Sequence, residues 1–259
     1  MIVRQRGSTI DALALTRRPQ PSRERIGARS PVTLAQRRWC SVPSVIHRRW
    51  FPDRLDGDRV VLRRHSRENL PSFQRWYSDP EVARLTRYQD GPMRPEEIER
   101  FFQARALGPE SLAMAIHVKA TGRLIGSCAF SQLDADNGSV LYHITIGERD
   151  AWGRGYGTEA TALMVRHAFE TLGLHRVALS VFEFNDRAIR AYRRVGFTTE
   201  GRAREAIRRD GRWWDELAMS ILESDWKRQQ HRAHRPRSQE IDGEPVMDRG
   251  ARTPASIGE

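Results

Sequence analysis

Two cysteines, Cys40 and Cys128, are all the chain has in 259 residues, which excludes a disulfide framework and a cysteine-built zinc site. The eight histidines show no ligand spacing, so no metal is expected. No apolar run is long enough to cross a bilayer, and no apolar signal-peptide core follows Met1. These absences lead to the expectation of a soluble protein of a reducing compartment, the cytoplasm, without membrane partners. Lysine is nearly missing as well: 42 of the 44 basic residues are arginine.

Charge is present but unevenly spread. The formal net charge is +11, with a pI near 10.7. Residues 1–50 hold eleven Arg against Asp11 and Glu24, residues 51–226 hold 26 basic against 26 acidic groups, and residues 227–259 hold seven against five. The high pI therefore belongs to the N-terminal arm, and the middle of the chain gives no electrostatic reason to bind nucleic acid. The arm, residues 1–50, is expected to be disordered. Its composition fits a solvated extension upstream of the true start, an organellar transit peptide, or an RNA- or ribosome-binding arm. Residues 227–259 read as a polar, disordered tail, which leaves 51–226 as the folded domain.

Within that domain, Arg59–Arg63 reads as a strand, Asn69–Tyr77 as a helix stopped near Asp79-Pro80, and a second helix starts at Pro95 with Glu96 and Glu97 at its positive end. Ala113–Val118 and Leu124–Leu133 read as a hairpin about Thr121-Gly122, and Ser139–Ile146 as a further strand. Arg176–Val181 is another strand, Asn185–Val195 a helix ended by Gly196, and Arg202–Arg208 with Arg212–Ile221 a hairpin about Asp210-Gly211. Such an order makes an α/β domain with a mixed, mostly antiparallel central sheet and flanking helices.

The most informative stretch is Trp152-Gly153-Arg154-Gly155-Tyr156-Gly157-Thr158-Glu159-Ala160, set between a strand and an amphipathic helix. Alternate glycines allow left-handed backbone and close approach, and the first N–H groups of a helix face whatever anion sits there. A phosphate or pyrophosphate is the expected ligand. No Gly-Lys-Ser/Thr follows, which excludes a Walker loop, and the third glycine comes one residue too early for a dinucleotide fingerprint.

Trp152 to Gly157, then Asn185, Tyr192 and Gly196-Phe197 resemble the acetyl-CoA signature of the GNAT superfamily of N-acetyltransferases. The resemblance runs from about Arg59 to Trp226. Ile146-Gly147-Glu148 and Asn185-Asp186-Arg187-Ala188-Ile189-Arg190-Ala191-Tyr192 are similar to the branch holding the ribosomal-protein N-terminal and spermidine acetyltransferases. It implies the GNAT acyl-CoA N-acyltransferase fold, with acetyl-CoA as co-substrate and no metal. It further implies that backbone groups of Ile144, Thr145 and Ile146 pair with the pantetheine arm where the sheet splays. By the same resemblance Trp152, Gly153, Arg154, Gly155, Tyr156 and Gly157 form the pyrophosphate loop, Asn185 contacts pantetheine, and Tyr192 stands near the sulfur. The family usually has Arg or Gln where this chain has Trp152. Asn185 also reads as a helix N-cap, and Tyr192 as a core aromatic.

The implied reaction is direct attack of a primary amine on the thioester. An alkylammonium has a pKa near 10, so a base or a water relay must take a proton. A backbone N–H of the splayed strand is the expected oxyanion donor, and Tyr192 the acid for the departing thiolate. Relatives often carry Glu where Ser139 aligns. His143, facing opposite to Tyr142 and Ile144, is the candidate base and equally reads as a packed or surface histidine. Asp79, Glu81, Trp213, Trp214, Asp215 and Glu216 are candidates for a surface that takes a cationic amine, and also read as a solvated helix end and a half-buried hairpin. A protein N-terminus, a polyamine, an aminoglycoside-like amine and an amino sugar all stay open as acceptor, and a homodimer is compatible with the reading. The competing functions are a non-catalytic acyl-CoA sensor and a ribosome- or RNA-associated protein that uses the basic arm.

Overall fold

The structure, a computed structural model of the chain, describes residues 51–109 and 111–233. The expectations for residues 1–50 and for the tail past 233 lie outside the described residues. Eight strands form one sheet: β1 (Arg54–Asp56), β2 (Val60–Arg64), β3 (Leu112–Val118), β4 (Leu124–Asp134), β5 (Ser139–Ile146), β6 (Arg176–Phe182), β7 (Thr198–Arg209) and β8 (Arg212–Leu222). Their spatial order is β1-β2-β3-β4-β5-β6-β8-β7. Every neighbouring pair is antiparallel except β5 with β6. The helices are α1 (Leu70–Ser78), α2 (Pro80–Thr86), α3 (Pro95–Phe102), α4 (Tyr156–Arg166), α5 (Asp186–Val195) and α6 (Glu223–Ala233). The expected α/β architecture is the one that forms.

Strand alternation places the two faces of β5 in different surroundings. Val140 and Tyr142 are buried, with Ile144 and Ile146 packed beside them, in the main core against Ala160, Met164 and Val165 of α4 and Ile189 and Tyr192 of α5. The opposite face lies under a second apolar cluster built by Phe73, Trp76, Tyr77, Val82, Ile98 and Phe102 of α1 to α3. There the Tyr77 hydroxyl sits 3.5 Å from Thr145 Oγ1, and His65 Nε2 2.9 Å from Ser127 Oγ.

The decisive irregularity is in the middle of the sheet. β4 follows β5 as far as Ile146, whereas β6 pairs with β5 only from Ser139–Leu141 to Arg176–Ala178. Beyond Leu141 the two central strands part. A bulge in β4 between Ser131 and Asp134, with Gln132 at φ 51°, lies at that level, and a bulge bends a strand and increases its twist.

Two helical features, the start of α2 and the last helix α6, differ from the sequence reading. Asp79-Pro80 ends α1 as expected but also starts α2 at once. Asp79 Oδ1 accepts the N–H groups of Glu81 (2.8 Å) and Val82 (3.3 Å), and Pro80 takes the first position, where its missing N–H costs nothing. After α4 the helix continues as a wider turn through His167–Thr171. α6 runs across residue 226, where the domain was expected to close. Trp226 anchors it against Phe169, with ring centroids 6.0 Å apart, although its remaining residues are mostly polar.

His65 is buried, with Asn69 Oδ1 3.2 Å from Nδ1. Burial pushes its pKa down to about 4, and the Asn69 hydrogen bond opposes this only in part. Between the unfolded value near 6.5 and about 4, the unfolded chain therefore takes a proton that the folded chain refuses. Stability must fall as pH drops through that window, by up to about 1.4 kcal/mol per pH unit for this one group. Urea unfolding between pH 7 and pH 4.5 checks it: His65→Gln is expected to lose stability less steeply on acidification than the parent, and equal slopes would contradict the assignment.

Candidate active site

Where β5 leaves β6, the glycine loop begins. Gly153 and Gly155 have φ of +73° and +83°, a left-handed conformation that side chains with a Cβ rarely adopt. A Cβ at Gly153 would meet nothing within 4 Å, so its backbone angle alone requires glycine there. At Gly155 a Cβ would also come within 2.8 Å of Arg59 Nη2. Gly155 caps α4, whose first helical bond runs from Glu159 N–H to the Gly155 carbonyl. The N–H groups of Tyr156, Gly157 and Thr158 precede that bond and carry the positive end of the helix.

Residues far away in sequence hold the loop. Glu159 Oε1 accepts the main-chain N–H groups of Arg59 (2.8 Å) and Val60 (3.1 Å), and Oε2 accepts Arg59 Nε (3.2 Å). Arg59 Nη1 in turn donates to the Arg154 carbonyl at 3.0 Å, and the guanidinium lies 5.4 Å from the Tyr156 ring centre. Burial alone would raise the Glu159 carboxyl, but the Arg59 and Val60 N–H groups and the Arg59 charge outweigh it and hold it below its usual range. Trp152 fixes the other side. Its indole N–H donates to the Ile146 carbonyl at 2.6 Å, and Arg187 stacks on its ring at 3.9 Å. The position where relatives carry Arg or Gln is thus a tie between the loop, the open strand and α5. One hundred residues separate Arg59 from Glu159, and no local pattern in the sequence announces the pair.

Loop and open strand share one cleft of about 1410 Å³. His143, Ile144, Thr145, Ile146, Trp152, Gly153, Gly155, Gly157, Asn185 and Tyr192 all line it. Arg154 and Tyr156 do not: the Arg154 side chain is exposed, and the Tyr156 ring lies beneath Arg59. Asn185 caps α5, its Oδ1 accepting Ala188 N–H at 3.2 Å, which leaves Nδ2 free to donate. Tyr192 is 8% exposed, with its ring 5.8 Å from Phe197. Burial raises its phenol well above the usual value, so it stays protonated at neutral pH. Beside it the buried Tyr142 hydroxyl lies 3.1 Å from Thr161 Oγ1, which donates to the Gly157 carbonyl at 2.7 Å.

His143 points to the other face, as its place in the strand requires, with Nε2 2.6 Å from Ser131 Oγ. Its ring reaches solvent within the cleft. Desolvation by the cleft walls, then the Arg105 charge, lowers its pKa, so it is neutral at pH 7. Ser139, which takes the place of the usual Glu, is at the far end of β5, paired with Asp134 and Arg176.

The residues named for a cationic acceptor are mostly occupied elsewhere. Asp79 caps α2, and Asp215 pairs with Arg202 at 2.8 Å. Trp213 is 58% exposed, and Trp214 packs edge-on to Phe184. Of the six, only Glu216 lines the cleft, where it accepts the Tyr88 hydroxyl. Sequence reasoning missed this closing segment. Buried Arg209 of β7 donates to the carbonyls of Arg87 and Gln89, which ties the chain before α3 to the last hairpin. Among the described residues, no group of three or more His, Cys, Asp or Glu could hold a metal.

Glu159→Ala would leave the Val60 N–H without its acceptor and free Arg59 from the loop. We expect a loss of about 1–3 kcal/mol in denaturant unfolding and faster amide exchange at 153–157. Unchanged exchange in the loop would contradict the anchoring role.

Residues 59–198 match the acetyltransferase (GNAT) domain family. An uncharacterized N-acetyltransferase, p20 of Bacillus licheniformis, is 27% identical over 175 residues, which cover 66% of this chain and 97% of the relative. The [ribosomal protein uS5]-alanine N-acetyltransferase of Escherichia coli is 29% identical over 105 residues, 40% of this chain and 53% of that enzyme. Among solved structures, spermidine N-acetyltransferase from Vibrio cholerae, in complex with CoA and spermine, superposes with a TM-score of 0.58 at 20% identity. The match covers 66% of this chain and 99% of that one, and at that identity it speaks for the fold. With a matched domain that spans more than half of its length and holds the open strand and the glycine loop together, the chain belongs to the GNAT family and is an acetyltransferase.

Proposed function

We propose that this chain moves an acetyl group from acetyl-CoA to a primary amine by direct attack. The observation that carries the reading is the parting of β5 from β6 beside the N-terminus of α4. An extended acyl-pantetheine needs a strand edge, and a pyrophosphate needs convergent N–H groups; the gap supplies both in one cleft. The family uses acetyl-CoA, and a relative in fold was solved with CoA.

In this reading the pantetheine arm pairs along the free edge with the backbone groups of Ile144 and the Ile146 N–H, the Ile146 carbonyl being taken by the Trp152 indole; Thr145, in register with Ser127, turns its own N–H and C=O to β4. Gly153, Gly155 and Gly157 with the first N–H groups of α4 take the pyrophosphate, and Asn185 Nδ2 donates to pantetheine. Acetyl-CoA supplies an activated acyl thioester. The amine nitrogen forms the new C–N bond as the C–S bond breaks, the amine proton leaves to His143 directly or through water, and Tyr192 returns a proton to sulfur. Acid and base then stand on opposite faces of β5. Each keeps the protonation state its task needs: the phenol protonated, the imidazole neutral.

A thiol-release assay with acetyl-CoA tests this over polyamines, peptides with free N-termini, aminoglycosides and amino sugars. We expect release with at least one class. Tyr192→Phe is expected to lower kcat about 10²-fold with little change in KM for acetyl-CoA. His143→Ala should remove the acidic limb of the pH–rate profile. No CoA binding at all would end the proposal, and CoA binding without release for any amine would favour an acyl-CoA sensor.

A further inference from the structure

The transfer reading leaves the acceptor open, and charge in the acceptor half of the cleft narrows it. α3 and the wider turn that continues it through Gln103–Leu107 present one stripe to the cleft: Glu97, Arg100, Phe101, Ala104 and Arg105, spaced three and four residues apart. The opposite stripe, Ile98 and Phe102, is fully buried among α1 to α3, so the helix cannot roll its charged side away. Phe101 packs on Tyr77 with ring centres 5.1 Å apart, and Tyr77 reaches Thr145, which puts the stripe over the non-core face of β5. That is the face from which His143 projects.

Acids are present in this half but already engaged. Glu97 accepts the Arg94 main-chain N–H at 3.0 Å and its guanidinium at 3.1 Å, and Glu216 accepts the Tyr88 hydroxyl. Arg87 donates to the Gly91 carbonyl at 2.6 Å. Arg100 and Arg105 have no acidic partner among the described residues. A guanidinium offers a planar fork of donors that matches carboxylate or phosphate oxygens in pairs. Polyamines bring further ammonium groups, which two unpaired guanidinium groups repel.

We propose that the acceptor is a small amine that also carries a carboxylate or phosphate, with Arg105 and Arg100 gripping the anionic group and so presenting the amine to His143. The inference rests on the acetyl-transfer reading. The same Arg105 charge that grips the anion disfavours a protonated His143, so binding and proton acceptance draw on one residue.

The test uses the full chain in two arms. Calorimetry with acetyl-CoA comes first: absence of binding overturns the transfer reading and this inference together. With binding in hand, kcat/KM is compared within matched pairs, alanine against alaninamide and phosphoethanolamine against ethanolamine, with spermidine as the cationic probe. The anion-bearing member is expected to lead by at least tenfold in one pair, which also tells carboxylate from phosphate. Arg105→Gln is expected to shrink that ratio at least tenfold through KM, and Arg105→Lys to restore part of it. A wild-type preference for spermidine or for the uncharged members overturns the inference while leaving the transfer reading intact, as does a ratio unchanged in Arg105→Gln. If no member turns over, calorimetry of each pair on the CoA-loaded protein decides, and equal or undetectable binding within both pairs overturns it.

Discussion

Everything in this site depends on one failure of strand pairing. Backbone N–H and C=O groups are obligatory hydrogen-bonding groups, and a strand in the middle of a sheet normally spends both edges on its neighbours. β5 spends one edge along its whole length on β4 and only three residues of the other on β6. The rest is a strand edge held open inside a folded domain. It is framed on its other sides: a bulge interrupts β4 near where β5 and β6 part, β6 is paired along its full length with β8, and the Trp152 indole ties the far end of β5 to the loop.

The gap also lets chemistry use both faces of the sheet. On the core face the phenol of Tyr192 is kept protonated by burial, next to the Tyr142–Thr161 pair and the glycine loop. On the opposite face His143 is kept neutral by desolvation and by Arg105. A closed sheet would separate these groups by its own thickness. Here they line one cleft, which is what the proposed transfer requires for an acyl donor on the core side and an amine from beneath α3 to meet at the same strand.

Local signals were legible in the sequence. β5 matches its expected span residue for residue, the glycine loop opens α4 where the pattern placed it, and Asn185 and Gly196 bound α5 as cap and stop. Those signals lie in adjacent residues: β-branched alternation, left-handed glycines, an amide before a helix. What escaped was non-local or lacked contrast. The Arg59–Glu159 anchor joins the start of the domain to its middle, and Arg209 pairs with carbonyls, which leave no side-chain trace. α6 is mostly polar, with Trp226 as its contact with the main core, so its composition resembles a tail. The acidic acceptor candidates stayed open in the sequence beside a solvated helix end and a half-buried hairpin, because composition cannot tell a free carboxylate from one already capping a helix or paired to Arg202. Arg100 of α3 and Arg105 of the turn that continues it reach the cleft without an acidic partner among the described residues, a facing that only the packing of Ile98 and Phe102 reveals.

The claim that the open edge of β5 is the donor site can be read directly from amide hydrogen exchange with and without CoA. Ligand bound as an added strand protects the amides it covers, and phosphate protects those at the helix start. Slowed exchange is expected in two segments, at the Ile144 and Ile146 N–H groups that face the gap and over residues 153–158, with little change in β7 and β8. Protection elsewhere in the domain, with these two segments exchanging as before, would contradict it.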